Sequence, residues 1–182
     1  MKASNEYRTT AISPVDGPVA VTGASGYIGS WIVRDLLEQD YQVRACVRDV
    51  SDRAKVDHLL AMQKQGQAGR LELYEADLHV EGSYDEAFKQ CSAVIHAGAA
   101  VGYNNESPQQ VYDGCFTEVG HVLGSAMNSG ALKRFVFTSS FAAVGHPRPK
   151  GYVFTEKDWC GDNEDGYRGG WSDDNIAVNR DI

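Results

Sequence analysis

"TGASGYIG", residues Thr22–Gly29, sets glycines at positions 23, 26 and 29. Two readings of that spacing stand: a tight turn that binds nothing, or a backbone cradle for an anion. The flanking residues weigh on the choice. Upstream, "PVAVTG" (Pro18–Gly23) is a short apolar run closed by glycine, the pattern of a buried parallel strand. Downstream, Ile28, Trp31, Ile32, Leu36 and Leu37 recur at three- and four-residue steps as far as "EQDY", which predicts an amphipathic helix with that face on a sheet. "QVRACVRD" (Gln42–Asp49) then reads as a second strand. A strand, glycine turn, helix and strand within about thirty residues is the context in which such glycines become informative. Gly23 permits the turn, Gly26 lets a pyrophosphate approach the backbone, and Gly29 lets the helix pack closely on the strand. The first amides of the helix and its dipole favour the anion.

The alternation continues. "SDRAKVDHLLAMQKQ" predicts a helix capped by Ser51 or Asp52, with Val56, Leu59, Leu60 and Gln63 at helical steps, and "RLELYEAD" (Arg70–Asp77) alternates like a strand. "SYDEAFKQC" reads as a short helix and "SAVIHAGA" as a buried strand ending in small residues. From about Pro108 to Ser129 a longer helix is expected, with Val111, Tyr112, Cys115, Val119, Val122, Leu123 and Met127 on one face. "LKRFVFTSS" (Leu132–Ser140) is a strand whose apolar run ends in hydroxyls. Five strands separated by helices, with right-handed crossovers, give an α/β, Rossmann-type doubly wound parallel sheet of order 3-2-1-4-5. Its ligand cleft belongs between strands one and four, where the glycine loop lies. After residue 145 the chain is rich in Gly, Pro, Asp and Asn without period and reads as an irregular excursion loop over 146–182.

Composition narrows the classes. At 182 residues, 42% hydrophobic and 23% charged, the chain fits one ordinary globular domain. A net charge of -8 with no basic stripe speaks against a nucleic-acid partner. Cys46, Cys91, Cys115 and Cys160 form no C-x-x-C pair, so a zinc site is not expected and a reducing compartment, simplest the cytoplasm, is. Residues 1–17 hold no apolar signal core and read as a flexible lead-in, with an organellar transit peptide left open. No stretch approaches the roughly 18 apolar residues of a membrane helix.

"TGASGYIGSWIV", "VRACVRD", "EADL" and "FVFTSS" fall in register over about residues 18 to 145. In this the chain resembles the extended short-chain dehydrogenase/reductases of the NAD-dependent epimerase/dehydratase superfamily, and within them the dihydroflavonol reductase-like branch that includes cinnamoyl-CoA and related carbonyl reductases. The end of strand two sorts the cofactor: an NAD binder needs an acid there for the ribose 2′-hydroxyl, an NADP binder positive charge for the 2′-phosphate. Set against NAD-using members, the acidic position falls on Val47, and Arg48 follows, so NADP(H) is expected, with Lys55 and less directly Arg53 adding charge. Arg48 as a solvated surface residue, or paired with Asp49, is the competing reading. The resemblance implies that Asp77 and Leu78 contact the adenine, and that the small residues Ala97, Gly98 and Ala99 admit the pyrophosphate and nicotinamide ribose. The cofactor set so read is Gly23, Ser25, Gly26, Tyr27, Ile28, Gly29, Arg48, Lys55, Asp77, Leu78, Ala97, Gly98, Ala99 and Thr138. His96 reads as a packed, hydrogen-bonded histidine.

The resemblance further implies a Ser or Thr that holds the carbonyl oxygen, a Tyr that donates the proton, and a Lys four residues later that lowers the Tyr pKa. Ser140, with Ser139 as fallback, matches the first. The Tyr-x-x-x-Lys is missing: Tyr152 and Tyr167 are followed at that offset by Glu156 and Trp171, and Tyr103 and Tyr112 by Ser107 and Phe116. Three readings remain open. One is the cofactor-binding portion of a reductase acting on a small carbonyl substrate, favoured because the pattern breaks off before the catalytic helix. Another is a non-catalytic accessory or redox-sensing module docked on a protein partner. The third is a nucleotide-sugar epimerase or dehydratase. Either of the first two leaves a sheet edge to be covered by further chain or by a partner.

Overall fold

The computed structural model describes residues 11–63, 70–99, 107–143, 149–155 and 158. The chain divides into two compact units, Met1–Phe137 and Thr138–Ile182.

The first unit contains β1 (Val19–Thr22), α1 (Tyr27–Glu38), β2 (Val43–Val47), α2 (Arg53–Leu60), β3 (Leu71–Glu75), α3 (Asp85–Phe88), β4 (Ala93–His96), α4 (Pro108–Met127) and β5 (Arg134–Phe137). The five strands form one sheet of order β3-β2-β1-β4-β5, every pairing parallel. This is the expected Rossmann-type arrangement.

Alternate residues of the strands feed two cores. Val21, Val43, Ala45 and Val47 pack with Val33 and Leu37 of α1 and Val56 and Leu59 of α2. Ala20, Cys46 and Val94 pack with Phe88 of α3 and Val122 and Ala126 of α4. Burial on both faces is why the strands read as apolar runs rather than clean alternations. Two charged side chains fix the margins. Arg44 of β2 donates through Nη1 to the carbonyls of Ala87 (3.1 Å) and Lys89 (2.7 Å), satisfying the end of α3. Ahead of β1, Pro14–Asp16 form a 3₁₀ turn whose Asp16 accepts from Lys133 Nζ at 2.5 Å. That bond and those from Ser13 hold the Asp16 carboxyl down at about 2. Residues 1–10 of the lead-in lie outside the described residues.

Several helices differ from expectation. In α1 the face against the sheet is Gly29, Val33 and Leu37, flanked by Ile32 and Leu36, whereas Ile28 and Trp31 are exposed. Gly29 carries no hydropathy signal, so the apolar stripe was drawn one step off; Trp31 instead lies under the Arg34 guanidinium at 3.8 Å. The second helix is the eight-residue α2, with Asp52 at its N-cap position but no side-chain cap bond, and it ends at Leu60; residues 64 and 65 of the expected helix lie outside the described residues. α3 is a single turn. On α4 the buried positions are Glu118, Val122, Ser125 and Ala126, while Tyr112, Phe116, Leu123 and Met127 are exposed. Val122 lies on the expected face and is buried, but Glu118 and Ser125 share the inner face with it and with Ala126, which no apolar period could indicate. No helix among the described residues is long and apolar enough to cross a membrane.

At the end of β4, His96 is buried against Phe135 and Phe137, with Nδ1 2.6 Å from Thr22 Oγ1. Burial pushes its imidazole below the usual value, so the unfolded chain takes a proton that the fold resists. The stability this represents is present above the ordinary imidazole value of about 6.5 and is lost as pH falls through it. We expect the urea midpoint to decline between about pH 7 and about pH 5, and His96→Gln to flatten that decline. An unchanged slope in the variant would assign the loss to other groups.

Candidate functional site

The glycine turn is closed by contacts that only glycine allows. Gly23 has φ +62, and a Cβ there would lie 2.6 Å from Gly98 Cα and 2.9 Å from the Ala97 carbonyl. At Gly29 a Cβ would stand 2.1 Å from the Gly23 carbonyl oxygen, so α1 rests directly on the turn. Thr22 Oγ1 accepts from the Gly98 N–H at 3.2 Å and ties the ends of β1 and β4 together. Gly26 caps α1 without a side-chain hydrogen bond, and Tyr27 and Ile28 of the first turn are exposed. The first-turn amides and the helix dipole therefore face an open approach, which suits an anion.

From this turn a cleft of about 240 Å³ runs across the ends of β1, β2 and β3. It is lined by Gly23, Ser25, Arg48, Lys55, Asp77, Leu78, Gly98 and Ala99, all expected site residues. Cys46, Val47, Ala76 and Tyr84 line it too and were not expected there. Tyr84 precedes α3 with its ring against Phe88 at 5.2 Å, and no sequence period marks it. Burial pushes the Tyr84 phenol and the Cys46 thiol upward. Both are neutral lining groups.

The charges sit at one end. Arg48 follows β2 with its side chain 72% exposed, and its Nε is 3.8 Å from Asp77 Oδ2. Asp49 does not pair with it: the Asp49 carboxylate accepts from Ser51 N–H (2.7 Å) and Ser51 Oγ (2.6 Å), which holds its carboxyl below the usual range. Lys55 reaches the cleft while paired with Asp52 at 3.3 Å, and Arg53 is turned along α2 to Asp57 at 2.6 Å. Asp77 Oδ1 accepts from the His79 N–H (3.0 Å) and lies 2.8 Å from His79 Nδ1, bonds that keep the Asp77 carboxyl low. Ser83 Oγ closes the loop, accepting from Asp77 N–H at 3.2 Å and donating to the Asp77 carbonyl at 2.7 Å.

Thr138, Ser139 and Ser140 belong to the second unit. There the Ser140 carbonyl accepts from Ala143 N–H at 3.0 Å as the 3₁₀ turn Phe141–Ala143 begins. Tyr152 is bonded through its hydroxyl to Asp158, whose other oxygen caps Thr155 N–H at 2.7 Å. Tyr103 and Tyr167 lie outside the described residues.

Residues 19–165 match the NAD dependent epimerase/dehydratase family. The chain belongs to that family. Among its relatives, cinnamoyl-CoA reductase CAD2 of Medicago truncatula is 42% identical over 151 residues, covering 78% of this chain and 46% of that protein. Dihydroflavonol 4-reductase of Arabidopsis thaliana is 39% identical over 142 residues, covering 78% and 37%. Among solved structures, vestitone reductase from alfalfa is 30% identical with a TM-score of 0.53, over 70% of this chain and 37% of that one. Gre2 from Candida albicans, solved in complex with NADPH, is 25% identical with a TM-score of 0.70, over 91% and 52%. This epimerase/dehydratase-family chain thus falls in the extended short-chain dehydrogenase/reductase branch of the dihydroflavonol and cinnamoyl-CoA reductases. It spans less than half the length of these curated relatives.

The turn itself can be tested. Gly29→Ala sets a methyl against the Gly23 carbonyl, and overpacking of this kind costs about 1–3 kcal/mol. Denaturant unfolding should show a loss at or above that range, whereas Gly114→Ala on α4, where a Cβ meets nothing within 4 Å, should stabilise slightly or be neutral.

Proposed function

We propose that this chain is the NADP(H)-binding portion of a carbonyl reductase. The observation that carries the reading is Arg48 at the carboxyl end of β2, over the cleft, with Val47 where an NAD binder would place a carboxylate. The cradle fits the group: no side chain can occupy Gly23 or Gly29, the first turn of α1 is open, and Arg48 and Lys55 supply cationic donors at the end of the cleft where a 2′-phosphate would lie. The NADPH complex of Gre2 supports the same choice.

When bound, the reduced nicotinamide supplies a hydride to a ketone or aldehyde. The residues of this chain bind and orient. Gly23, Ser25 and Gly26 shape the pyrophosphate turn, with Tyr27, Ile28 and Gly29 offering the first amides of α1. Ala97, Gly98 and Ala99 keep the end of β4 slim beside the ribose, Asp77 and Leu78 flank the adenine, and Thr138 contributes at the end of the last strand. Ser140, with Ser139 beside it, is the residue assigned to the carbonyl oxygen; the proton donor and its lysine are not among these 182 residues. Further chain, or a protein partner, covers β5 and the exposed Tyr112, Phe116, Leu123 and Met127 of α4.

Two measurements test this reading. Arg48→Ala should weaken NADPH by about 1–3 kcal/mol while barely changing NADH, because the charge-assisted contact is to the phosphate. Equal losses for both dinucleotides would remove Arg48 from cofactor choice. The purified 182-residue chain should bind NADPH yet show no carbonyl-dependent NADPH oxidation; turnover would show that a proton donor exists within it.

A further inference from the structure

The loop after β3 is held by α4 from two points. His121 Nδ1 lies 2.8 Å from the Leu78 carbonyl and donates to it, and one turn earlier Glu118 Oε1 lies 3.4 Å from His79 Nε2. Glu118 is a carboxylate on the inner face of α4 with a side chain only 11% exposed, an expensive placement unless it is paired. His79 is therefore set between two carboxylates, Asp77 on Nδ1 and Glu118 on Nε2. Each ring nitrogen of His79 thus faces a carboxylate oxygen.

Asp77 is the shared member. Its Oδ1 takes two bonds at 2.8 and 3.0 Å from His79, while its Oδ2 is 3.8 Å from Arg48, beyond hydrogen-bond distance. Asp77 is thus committed to His79 more closely than to Arg48. Against His79 stand Asp77 of the loop and Glu118 of α4; Arg48 reaches Asp77, His121 bonds the Leu78 carbonyl, and Lys55 and Tyr84 line the cleft beside Asp77.

We propose that His79 is a positioning residue of the dinucleotide site: clamped between Asp77 and Glu118, it holds Asp77 off Arg48 and leaves the guanidinium for the 2′-phosphate. This rests on the reading of the cleft as an NADP(H) site and adds to it the residue that keeps Arg48 available.

The test is calorimetric titration of the full 182-residue chain with NADPH and with NADH. In the unmodified chain NADPH should bind more tightly than NADH. His79→Asn should lower the NADPH-over-NADH preference about five- to tenfold. Glu118→Gln, which alters no group on the cleft wall, should lower the same preference by a smaller factor and carries the test if H79N fails to fold. Equal weakening of both dinucleotides in H79N would mean that His79 only stiffens the loop, and an unchanged ratio that it does nothing; either overturns the proposal. If the unmodified chain binds NADPH with no preference, or binds neither dinucleotide, the NADP(H) reading itself fails and this inference with it.

Discussion

The junction of β1 and β4 has no room for side chains, and the rest of the cleft is arranged around that constraint. With Gly23 against Gly98 and Gly29 against the Gly23 carbonyl, the backbone of the turn is the wall of the site. Thr22 and His96 hold the two strand ends in register just beneath it. The cost of a buried hydroxyl and imidazole is offset because each satisfies the other and the hydroxyl also accepts the Gly98 N–H. A slim, rigid strand junction followed immediately by an uncapped helix start gives an anion site made of backbone, with α1 fixed in direction by the absence of a Cβ at Gly29.

Charge at the far end of the cleft is balanced more delicately. Arg48 is mostly solvated, and an isolated exposed pair with Asp77 at 3.8 Å is worth little. On the NADP(H) reading proposed for the cleft, that weakness leaves the cation able to exchange its partner for a phosphate. A tight bidentate pair with Asp77 would have to be broken on binding, and its loss would be charged against affinity. The loop avoids this by giving Asp77 other bonds, to His79 and to the backbone held by Ser83.

Much of this was legible in the residues. The strand order and the glycine turn follow from apolar runs and small residues in sequence, because parallel strands buried on both faces leave little freedom of pattern. Arg48, Lys55, Asp77 and Gly98 were found because they sit at strand ends or beside the turn, where topology alone delivers them to the cleft. What escaped was set by partners rather than by period. The packed face of α1 runs through Gly29, which has no hydropathy, and Tyr84 enters the cleft from a single-turn helix too short to show amphipathicity. Asp49 looked like the neighbour of Arg48 only because adjacency in sequence hides the Asx-type bond to Ser51.

α4 shows the same limit from the other side. Its apolar residues are numerous enough to suggest an inner face, yet Tyr112, Phe116, Leu123 and Met127 point outward and Glu118 and Ser125 inward. The reason lies across the gap: the loop after β3 presents a carbonyl at Leu78 and an imidazole at His79, and these demand polar partners from whichever helix packs on them. Glu118 and His121, three residues apart, meet that demand from one face of one turn. The apolar residues thereby displaced form a stripe of their own, at steps of four, seven and four from Tyr112 to Phe116, Leu123 and Met127. With Glu118 and Ser125 beside Val122 and Ala126 on its inner face and an apolar stripe outside, α4 is built to be packed from both sides. The loop that borders the cleft and the outer surface of this unit are therefore joined through a single element.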